Sequence, residues 1–172
     1  MGRILPESGK DSVKKYVLDT SALVGGLVLT GRGEFFTIDE VLNEAKGLLT
    51  KSRLEAGLLS GTVKILSPSE SSLEKVKEIC VRTCNVISET DAKLLALALD
   101  LEATLVTDDY ALQNVAAIMG VSIRPITTEG IKEVREWEKF CPSCGRVYER
   151  KSKVCEVCGH VLSKRVKKRR RL

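Results

Sequence analysis

Four cysteines near the end of the chain have the spacing of a metal site. Cys141 and Cys144 form one Cys-x-x-Cys pair, and after ten intervening residues Cys155 and Cys158 form another. Each pair is followed by a glycine, which lets the local backbone amides turn toward the sulfurs. Four thiolates complete the tetrahedral shell that Zn²⁺ prefers, whereas two redox dithiols would require two unrelated coincidences. The spacing therefore predicts a zinc ribbon that holds one structural zinc ion.

Acidic residues elsewhere in the chain offer oxygen ligands for a second kind of metal. Asp19 directly follows the apolar run 16–18, and an Asp-Asp pair follows the apolar run 103–106 by one residue. A hard cation such as Mg²⁺ or Mn²⁺ binds carboxylates, and one or two such ions can activate water against a phosphodiester. We therefore expect a catalytic site for one or two Mn²⁺ or Mg²⁺ ions. The candidate ligands are Asp19, Glu40, Glu44, Asp91, Asp108 and Asp109.

Each acid also has a purely structural alternative. Asp19 would suit a helix cap, and Asp91 has the Ser-x-x-Asp spacing from Ser88 that forms an N-terminal capping box. Glu40 and Glu44 are compatible with a solvated helix face, and the Asp-Asp pair with a turn. The aspartates at the ends of apolar strands favour the metal site, because helix capping does not explain an acid there. No Gly-x-x-x-x-Gly-Lys-Ser/Thr pattern occurs, which argues against nucleoside triphosphate hydrolysis.

The elements that position these acids alternate between strands and helices. Apolar runs bounded by turn residues predict five strands, at 16–19, 35–38, 62–66, 103–106 and 121–125. Helices are predicted between them and again over 128–139. This alternation is typical of an α/β fold, a mostly parallel sheet with helices on both faces. Ligands of such sheets bind at the carboxyl ends of the strands, where Asp19 and the Asp-Asp pair are expected.

The charge of the chain divides between an acidic body and a basic end. From Phe140 onward there are eleven Lys and Arg against two Glu, a net charge of +9, so the whole-chain value of +5 leaves −4 for residues 1–139. A basic end suits a polyanion such as RNA. The first residues lack the apolar segment of a secretory signal, and no apolar run approaches the ~20 residues that span a bilayer. We therefore expect a cytoplasmic protein without a membrane partner.

Four acidic motifs follow one another along the chain: Val-Leu-Asp-Thr-Ser-Ala at 17–22, Thr-Ile-Asp-Glu-Val-Leu-Asn-Glu at 37–44, Ile-Ser-Glu-Thr-Asp at 87–91 and Leu-Val-Thr-Asp-Asp at 105–109. Their order is that of the PIN-domain ribonucleases, which the segment 15–127 resembles. The resemblance implies a PIN-like fold with a metal site formed by four carboxylates, Asp19, Glu44, Asp91 and Asp109. It also implies supporting positions near that site, Ser21, Glu40, Thr107 and Asp108. The family pattern favours Glu44 over Glu40, and its Thr-x-Asp spacing favours the second aspartate of the Asp-Asp pair.

A PIN domain followed by a connector and a four-cysteine ribbon is the arrangement of the Nob-type endonucleases, and the chain resembles them over about residues 15–162. The short chain is similar to the archaeal members of that family. The resemblance implies a metal-dependent endoribonuclease that cleaves precursor small-subunit rRNA to generate its mature 3′ end. The partners it implies are that RNA and the pre-ribosomal small subunit. The organisation we predict is a flexible N-terminus 1–14, a PIN-like domain 15–127, a helical connector 128–139, a zinc ribbon 140–163 and a basic tail 164–172.

Basic residues beside an aromatic side chain predict the RNA contacts, because lysine and arginine bind phosphates and an aromatic ring stacks on bases. The candidates are Arg146, Tyr148, Arg150, Lys151 and Lys153 in the ribbon, and Lys164, Arg165, Lys167 and Lys168 in the tail. For the basic tail, a disordered solubilising segment is the alternative. For the whole chain, three other functions stay open: a non-catalytic RNA-binding ribosome-assembly factor, a toxin-type PIN ribonuclease acting on another RNA, and a DNA-binding factor.

Overall fold

A five-stranded parallel sheet forms the centre of the larger of two modules. The computed structural model describes residues 13–24, 33–44, 48–148 and 152–172. The strands are β1 Lys14–Leu18, β2 Gly33–Thr37, β3 Val63–Ile65, β4 Thr104–Val106 and β5 Ile123–Arg124. They lie in the order β3-β2-β1-β4-β5, and each neighbouring pair is parallel. The predicted mostly parallel sheet is confirmed, and its order reverses at β1, which places a ligand crevice beyond the carboxyl end of that strand.

Six helices are described around these strands. They are α1 Thr20–Val24, α2 Asp39–Glu44, α3 Leu48–Leu59, α4 Glu70–Arg82, α5 Glu89–Leu101 and α6 Tyr110–Ile118. Helix α3 escapes prediction from the sequence because its apolar residues do not form one stripe, although Leu54 is fully buried. None of the helices within the described ranges is long and apolar enough to cross a membrane.

The core fixes the carboxyl ends of the two central strands. Val17 and Leu18 of β1 and Leu105 and Val106 of β4 are fully buried, and α5 packs a continuous Ala and Leu run into the same cluster. Burying one such aliphatic side chain contributes about 1.5–3 kcal/mol. At the end of β1 the backbone N–H of Asp19 donates to the carbonyl of Val106 at 3.1 Å. The backbone that presents Asp19 is therefore anchored by the best-packed part of the molecule.

The smaller module is a three-stranded antiparallel sheet in the order β7-β6-β8. Its strands are β6 Glu133–Phe140, β7 Val147–Tyr148 and β8 Ser163–Arg171. Two expectations from the sequence are therefore wrong. The segment 128–139 is not a helical connector, because most of it is strand β6. The basic segment 164–172 is not a separate tail, because it pairs along β6 as strand β8.

Backbone conformation and charge explain why a strand forms where the sequence predicts a helix. Gly130 has a φ of +72°, in the left-handed region that interrupts a helix. The acidic residues of β6 lie opposite basic residues of β8, as in the pair Glu138 and Arg165, whose side chains are 2.7 Å apart. Opposite charges facing each other stabilise an antiparallel pair. Strand β6 forms in place of the predicted helix because β8, a basic strand distant in sequence, supplies the charges that its acidic residues face.

Several hydrogen bonds dock the smaller sheet onto the larger module, among them those of Asn114 and Trp137. The side-chain amide of Asn114 in α6 donates to the carbonyl of Arg135 at 2.8 Å and accepts from its N–H at 2.7 Å. Asn114 thus satisfies both backbone groups of one β6 residue, as a neighbouring strand would. The N–H of Trp137 also donates to the carbonyl of Thr83, which follows α4, at 3.0 Å. The two modules therefore share a hydrogen-bonded junction.

Candidate functional site

Asp19 lies at the carboxyl end of β1, beyond which the sheet topology places a ligand crevice. One of its oxygens, Oδ2, accepts hydrogen bonds from the hydroxyls of Thr107 at 2.8 Å and Ser21 at 3.0 Å. Burial raises the pKa of Asp19, the hydrogen bonds of Thr107 and Ser21 oppose that rise, and the nearby charge of Asp91 adds to it. The protein therefore holds a carboxylate where its negative charge is destabilised by burial and by a second acid.

Asp91 occupies the first turn of α5 and forms the predicted capping box. The N–H and hydroxyl of Ser88 donate to Asp91 Oδ2 at 3.1 and 2.7 Å, and the N–H of Asp91 donates to the Ser88 hydroxyl at 3.0 Å. Both side-chain bonds use Oδ2, and Oδ1 has no partner in the described part of the chain. Capping therefore orients this carboxylate without using up its ligand capacity, so the structural alternative and the metal-site hypothesis are compatible.

Helix α2 presents its two glutamates to different neighbours on α5. Glu40 forms an ion pair with Lys93 at 2.5 Å, and that hydrogen bond lowers the pKa of Glu40. Glu44 is exposed and accepts a hydrogen bond from the hydroxyl of Thr90 at 2.5 Å, one residue before Asp91. A lysine already neutralises Glu40, whereas Glu44 borders the Asp91 position without an ion-pair partner in the described residues.

The two adjacent aspartates after β4 also divide between two roles. The Asp108 carboxylate accepts hydrogen bonds from the segment 126–128, including the N–H of Ile126 at 2.8 Å and the hydroxyl of Thr127 at 2.6 Å. Burial acts to raise its pKa, but these hydrogen bonds prevail and hold the pKa of Asp108 far below its usual value. Asp108 therefore ties the exit of β4 to the exit of β5.

Asp109 caps helix α6 at the edge of the acid group. Its Oδ1 accepts from the N–H of Leu112 at 2.8 Å, and its own N–H donates to the hydroxyl of Thr107 at 3.1 Å. Since the same Thr107 hydroxyl donates to Asp19, one side chain links the two aspartates. Asp109 is exposed, and its second oxygen accepts no hydrogen bond within the described part of the chain.

Thr107 and Ser21 set the position of the acids, and a third residue positions Thr107. Thr107 is fully buried, and its carbonyl accepts from the side-chain amide of Gln113 at 2.8 Å. The Gln113 oxygen then accepts from the N–H of Ile131 at 2.9 Å. Sequence reasoning missed Gln113, although a glutamine within an apolar helix stretch is a signal for a buried polar contact. This network links the acid group to the segment that leads into β6.

The donor set of the acid group suits a hard cation. All four candidate ligands offer carboxylate oxygens, the donors that Mg²⁺ and Mn²⁺ prefer. Burial is the main cause of the raised pKa of Asp19, the charge of Asp91 adds to it, and a bound cation would offset both effects. Among the described residues, no three of these carboxylates bring oxygens within 4.8 Å of one another. These carboxylates are therefore more widely spaced than the cysteine sulfurs, and a Mg²⁺ or Mn²⁺ ion there would take water and substrate phosphate as its remaining ligands.

The four cysteines, in contrast, are already gathered. Their sulfurs all lie within 4.8 Å of one another, with Cys141 and Cys158 at 3.4 Å and Cys144 and Cys155 at 3.6 Å. A tetrahedral zinc with Zn–S bonds of about 2.3 Å requires sulfurs about 3.8 Å apart. The two Cys-x-x-Cys turns repeat the same backbone bond, 2.9 Å from each following glycine N–H to the first cysteine carbonyl. The cluster therefore fits the predicted zinc ribbon.

Tyr148 supports the zinc cluster from inside the ribbon. Its ring is buried, and its hydroxyl lies 3.0 Å from the sulfur of Cys155 while accepting from the N–H of Glu156 at 3.1 Å. The Tyr148 hydrogen bond lowers the pKa of Cys155 to about 5, which favours the thiolate that zinc binds. The prediction that Tyr148 offers a stacking surface to RNA is wrong, because its ring is enclosed.

The predicted RNA-binding side chains differ in their surroundings. Arg146 and Lys153 are exposed on the ribbon, whereas Arg150 and Lys151 lie outside the described residues. Lys167 and Lys168 are exposed on β8. The remaining two, Lys164 and Arg165, also lie on β8, where Arg165 pairs with Glu138 and stacks 4.8 Å from the ring centre of Phe140. The structure thus presents a basic strand instead of a flexible basic tail.

The fold, the acid group and a family comparison together define a class of protein. Residues 16–101 match the family model described as "PIN domain of ribonuclease". The match begins in β1 and ends with α5, so it includes Asp19, Glu44 and Asp91. The sheet order and the acids at the carboxyl end of its central strand fit this class.

Similar proteins extend the likeness beyond that domain. "Endoribonuclease Nob1" of Methanocaldococcus jannaschii is 37% identical over 92% of this chain and 81% of its own length. "Ribonuclease VapC1" of Thermoplasma acidophilum is 32% identical over 90% of this chain and 80% of its own length. "20S-pre-rRNA D-site endonuclease NOB1" of Saccharomyces cerevisiae is 31% identical over 61% of this chain and 24% of its own length. With the four-cysteine cluster beside the PIN domain, the chain belongs to the Nob1 family of PIN-domain endoribonucleases.

Proposed function

We propose that the protein is a divalent-metal-dependent endoribonuclease that cleaves precursor small-subunit rRNA to generate its mature 3′ end. The single observation that carries the catalytic part is the Asp19 carboxylate, half-buried at the switch point of the sheet and near enough to a second acid, Asp91, for that charge to raise its pKa. The protein maintains this repulsive arrangement with three hydrogen-bond donors to Asp19. A site that positions negative charge against negative charge supports binding of a cation.

We assign the metal ligands to four acids, Asp19, Glu44, Asp91 and Asp109. When bound, Mn²⁺ or Mg²⁺ would supply charge neutralisation at the phosphate and an acidified water. The Thr107 and Ser21 hydroxyls hold the orientation of Asp19, and the Ser88 cap holds that of Asp91. Hydrolysis with departure of the 3′ oxygen leaves a 3′-hydroxyl on the mature RNA and a 5′-phosphate on the released fragment.

The substrate assignment rests on the relatives and on the ribbon. The yeast relative is named for cleavage of a 20S precursor rRNA, and the M. jannaschii relative for endoribonuclease activity. The ribbon adds exposed basic groups, Arg146 and Lys153, beside the basic strand β8. These groups suit RNA phosphates within a pre-ribosomal small subunit. We place this activity in the cytoplasm, where the pre-ribosome of a cell without a nucleus is assembled.

A cleavage assay on labelled RNA tests the substrate assignment. The RNA would span the 3′ end of small-subunit rRNA with its downstream extension, and a control RNA would carry the same composition in scrambled order. We expect one Mn²⁺-dependent cut at the mature end and no discrete cut in the control. Cuts at equal rates in both RNAs would contradict the assignment of rRNA as the substrate, but they would still support nuclease activity.

The similarity to VapC1 favours one second candidate, a toxin-type ribonuclease aimed at another RNA. The match covers 90% of this chain, so the length of the similarity does not separate the two possibilities. A tRNA pool incubated in the same assay does separate them. Cleavage of tRNA at a rate above that of the precursor rRNA would support the toxin-type function.

A further inference from the structure

A groove lies at the junction of the two modules, outside the acid group. It has a volume of about 670 Å³ and is bordered by the end of α4, the segment 84–88, the start of α5, and strands β6 and β8. Its lining includes Lys77, Cys80, Val86, Glu89, Lys139 and Lys164. One end of the groove reaches Ser88, whose hydroxyl donates to Asp91. The groove therefore runs from the paired strands β6 and β8 to the Ser88–Asp91 capping box, which orients a proposed metal ligand.

Two lysines that lie directly opposite each other line the ribbon end of this junction groove. Lys139 of β6 pairs in register with Lys164 of β8. Their ammonium groups donate to backbone carbonyls, Lys139 to Ser152 at 2.7 Å and Lys164 to Cys84 at 3.1 Å. Within the described residues, neither forms an ion pair with a carboxylate. Like charges directly opposite in an antiparallel pair are destabilising, so this pair has a cost that an anion would remove.

Neighbouring positions on the same two strands show that this charge pattern is not general. One register position away, Glu138 and Arg165 form a complementary pair at 2.7 Å. A second facing basic pair, Arg135 and Arg169, contains an arginine whose charge is met by Glu133. In both of these pairs an acid meets at least one of the charges, whereas neither Lys139 nor Lys164 has an acid partner within the described residues.

The rest of the groove surface indicates which polyanion fits. Lys77 adds a third positive charge, and Glu89, the one acid among the described lining residues, lies 4.0 Å from Lys93. Apolar side chains such as Val86, which is 76% exposed, line the same groove. Duplex RNA presents phosphates and hides its base faces, whereas a single strand presents both. A surface that combines lysines with exposed apolar side chains therefore matches a single strand.

We propose that the junction groove binds a single-stranded segment of the RNA substrate, with Lys139 and Lys164 on its phosphates and the apolar lining against its bases. The proposal rests on the proposed function for the identity of the polyanion. The bound segment would connect the acid site to the RNA contacted by the ribbon. The groove thereby selects substrates in which the scissile phosphate lies in an unpaired stretch.

Binding measurements without added divalent metal test this proposal separately from cleavage. Fluorescence anisotropy would compare a single-stranded oligoribonucleotide with a hairpin duplex for wild type and for Lys139→Gln/Lys164→Gln. Losing two phosphate contacts predicts about 20-fold weaker single-strand binding at 0.1 M salt and a log–log salt slope smaller by about 1.4. We expect the duplex affinity to change by less than about 3-fold, since the groove does not contact it.

Two further variants separate the groove from general charge and from misfolding. Lys14→Gln/Lys15→Gln removes the same charge from the amino end of β1, the edge of the sheet away from the acids, and should bind as wild type. Lys139→Arg/Lys164→Arg keeps the charge and should retain single-strand affinity. The proposal is overturned if the glutamine variant binds the single strand like wild type, or if it weakens single strand and duplex equally. If wild type cleaves no RNA but the glutamine variant loses single-strand binding, the groove assignment stands and the nuclease assignment falls.

Discussion

At the scale of single residues, the two aspartates after β4 and the two glutamates of α2 each divide between different surroundings. Asp108 is held by the N–H and hydroxyl groups of the segment 126–128, whereas Asp109 caps α6 and bonds to Thr107. Glu40 is neutralised by Lys93, whereas Glu44 contacts Thr90. We infer that one member of each pair stabilises the fold and that the other serves the metal site.

The glutamate pair provides a matched test of that division. Glu44→Gln should weaken Mn²⁺ binding and lower the cleavage rate by about 10–100-fold, because it removes a carboxylate beside Asp91. Glu40→Gln should change either quantity by less than about 3-fold, because its charge is already paired with Lys93. Calorimetric Mn²⁺ titration together with single-turnover cleavage measures both. Equal losses in the two variants would contradict the assignment of Glu44.

Asp108→Asn should cost stability and spare the reaction. Its hydrogen bonds to the segment 126–128 are partly exposed, so we expect a loss of about 1 kcal/mol in the free energy of unfolding at pH 7. The folded-state pKa of Asp108 lies below its unfolded value of 3.8, so this contribution is complete above about pH 4 and declines at lower pH. Urea unfolding of wild type and variant across pH 3–7 should show their difference shrinking below pH 4. A difference that grows on acidification would contradict this role.

At the scale of elements, the start of α5 both ends a loop and orients Asp91. Ser88→Ala removes the capping hydroxyl and should lower stability by about 1 kcal/mol. Because Ser88 also holds the Asp91 carboxylate, we expect the cleavage rate to fall by about 10-fold. Ser69→Ala is the matched control, since Ser69 caps α4 through the N–H of Ser72 and touches no proposed ligand. Similar activity losses in both variants would show that stability alone accounts for the effect.

Sequence patterns predicted the strands of the parallel sheet well, but they did not predict strands β6 and β8, which join the two modules. The strands that precede Asp19 and Asp108 are short apolar runs with turn signals beside them, so nearby residues are enough to predict a strand there. Strand β6 could not be recognised in this way, because its partner β8 lies more than 20 residues away and supplies the charges that complement it. Tyr148 was misassigned for a related reason, since its burial depends on packing against Cys141 and Cys155. Local periodicity does not report such long-range partners.

At the scale of the whole molecule, the cysteine cluster of the ribbon and the apolar core of the PIN domain stabilise different parts. The ribbon has a small buried cluster of Cys141, Tyr148 and Cys155, whereas the larger module has an extensive apolar core. Because this module has so little buried apolar surface, we expect it to need a bound metal in order to fold. The hydrogen bonds of Asn114 to β6 then link ribbon folding to the nuclease domain.

Zinc removal should therefore unfold the ribbon selectively. We expect one zinc per chain in wild type, and Cys155→Ala should lose it together with most RNA affinity while the PIN domain retains a cooperative thermal transition. Cys80→Ala is the matched control, because Cys80 lies on α4 outside the four-sulfur cluster and should leave the zinc content at one. Elemental analysis, thermal unfolding and RNA binding measure these outcomes. Retention of zinc by Cys155→Ala would contradict the four-cysteine shell.

The most direct test of the central claim compares Asp19→Asn with wild type in Mn²⁺-dependent cleavage of RNA that spans the 3′ end of small-subunit rRNA. Asp108→Asn serves as the control for a neighbouring structural aspartate. We predict that Asp19→Asn binds the RNA normally, loses Mn²⁺ binding and cleaves at least about 100-fold more slowly, whereas Asp108→Asn cleaves at the same position as wild type. Cleavage by Asp19→Asn at the wild-type rate would contradict the account, because the acid group around β1 would not be the catalytic site.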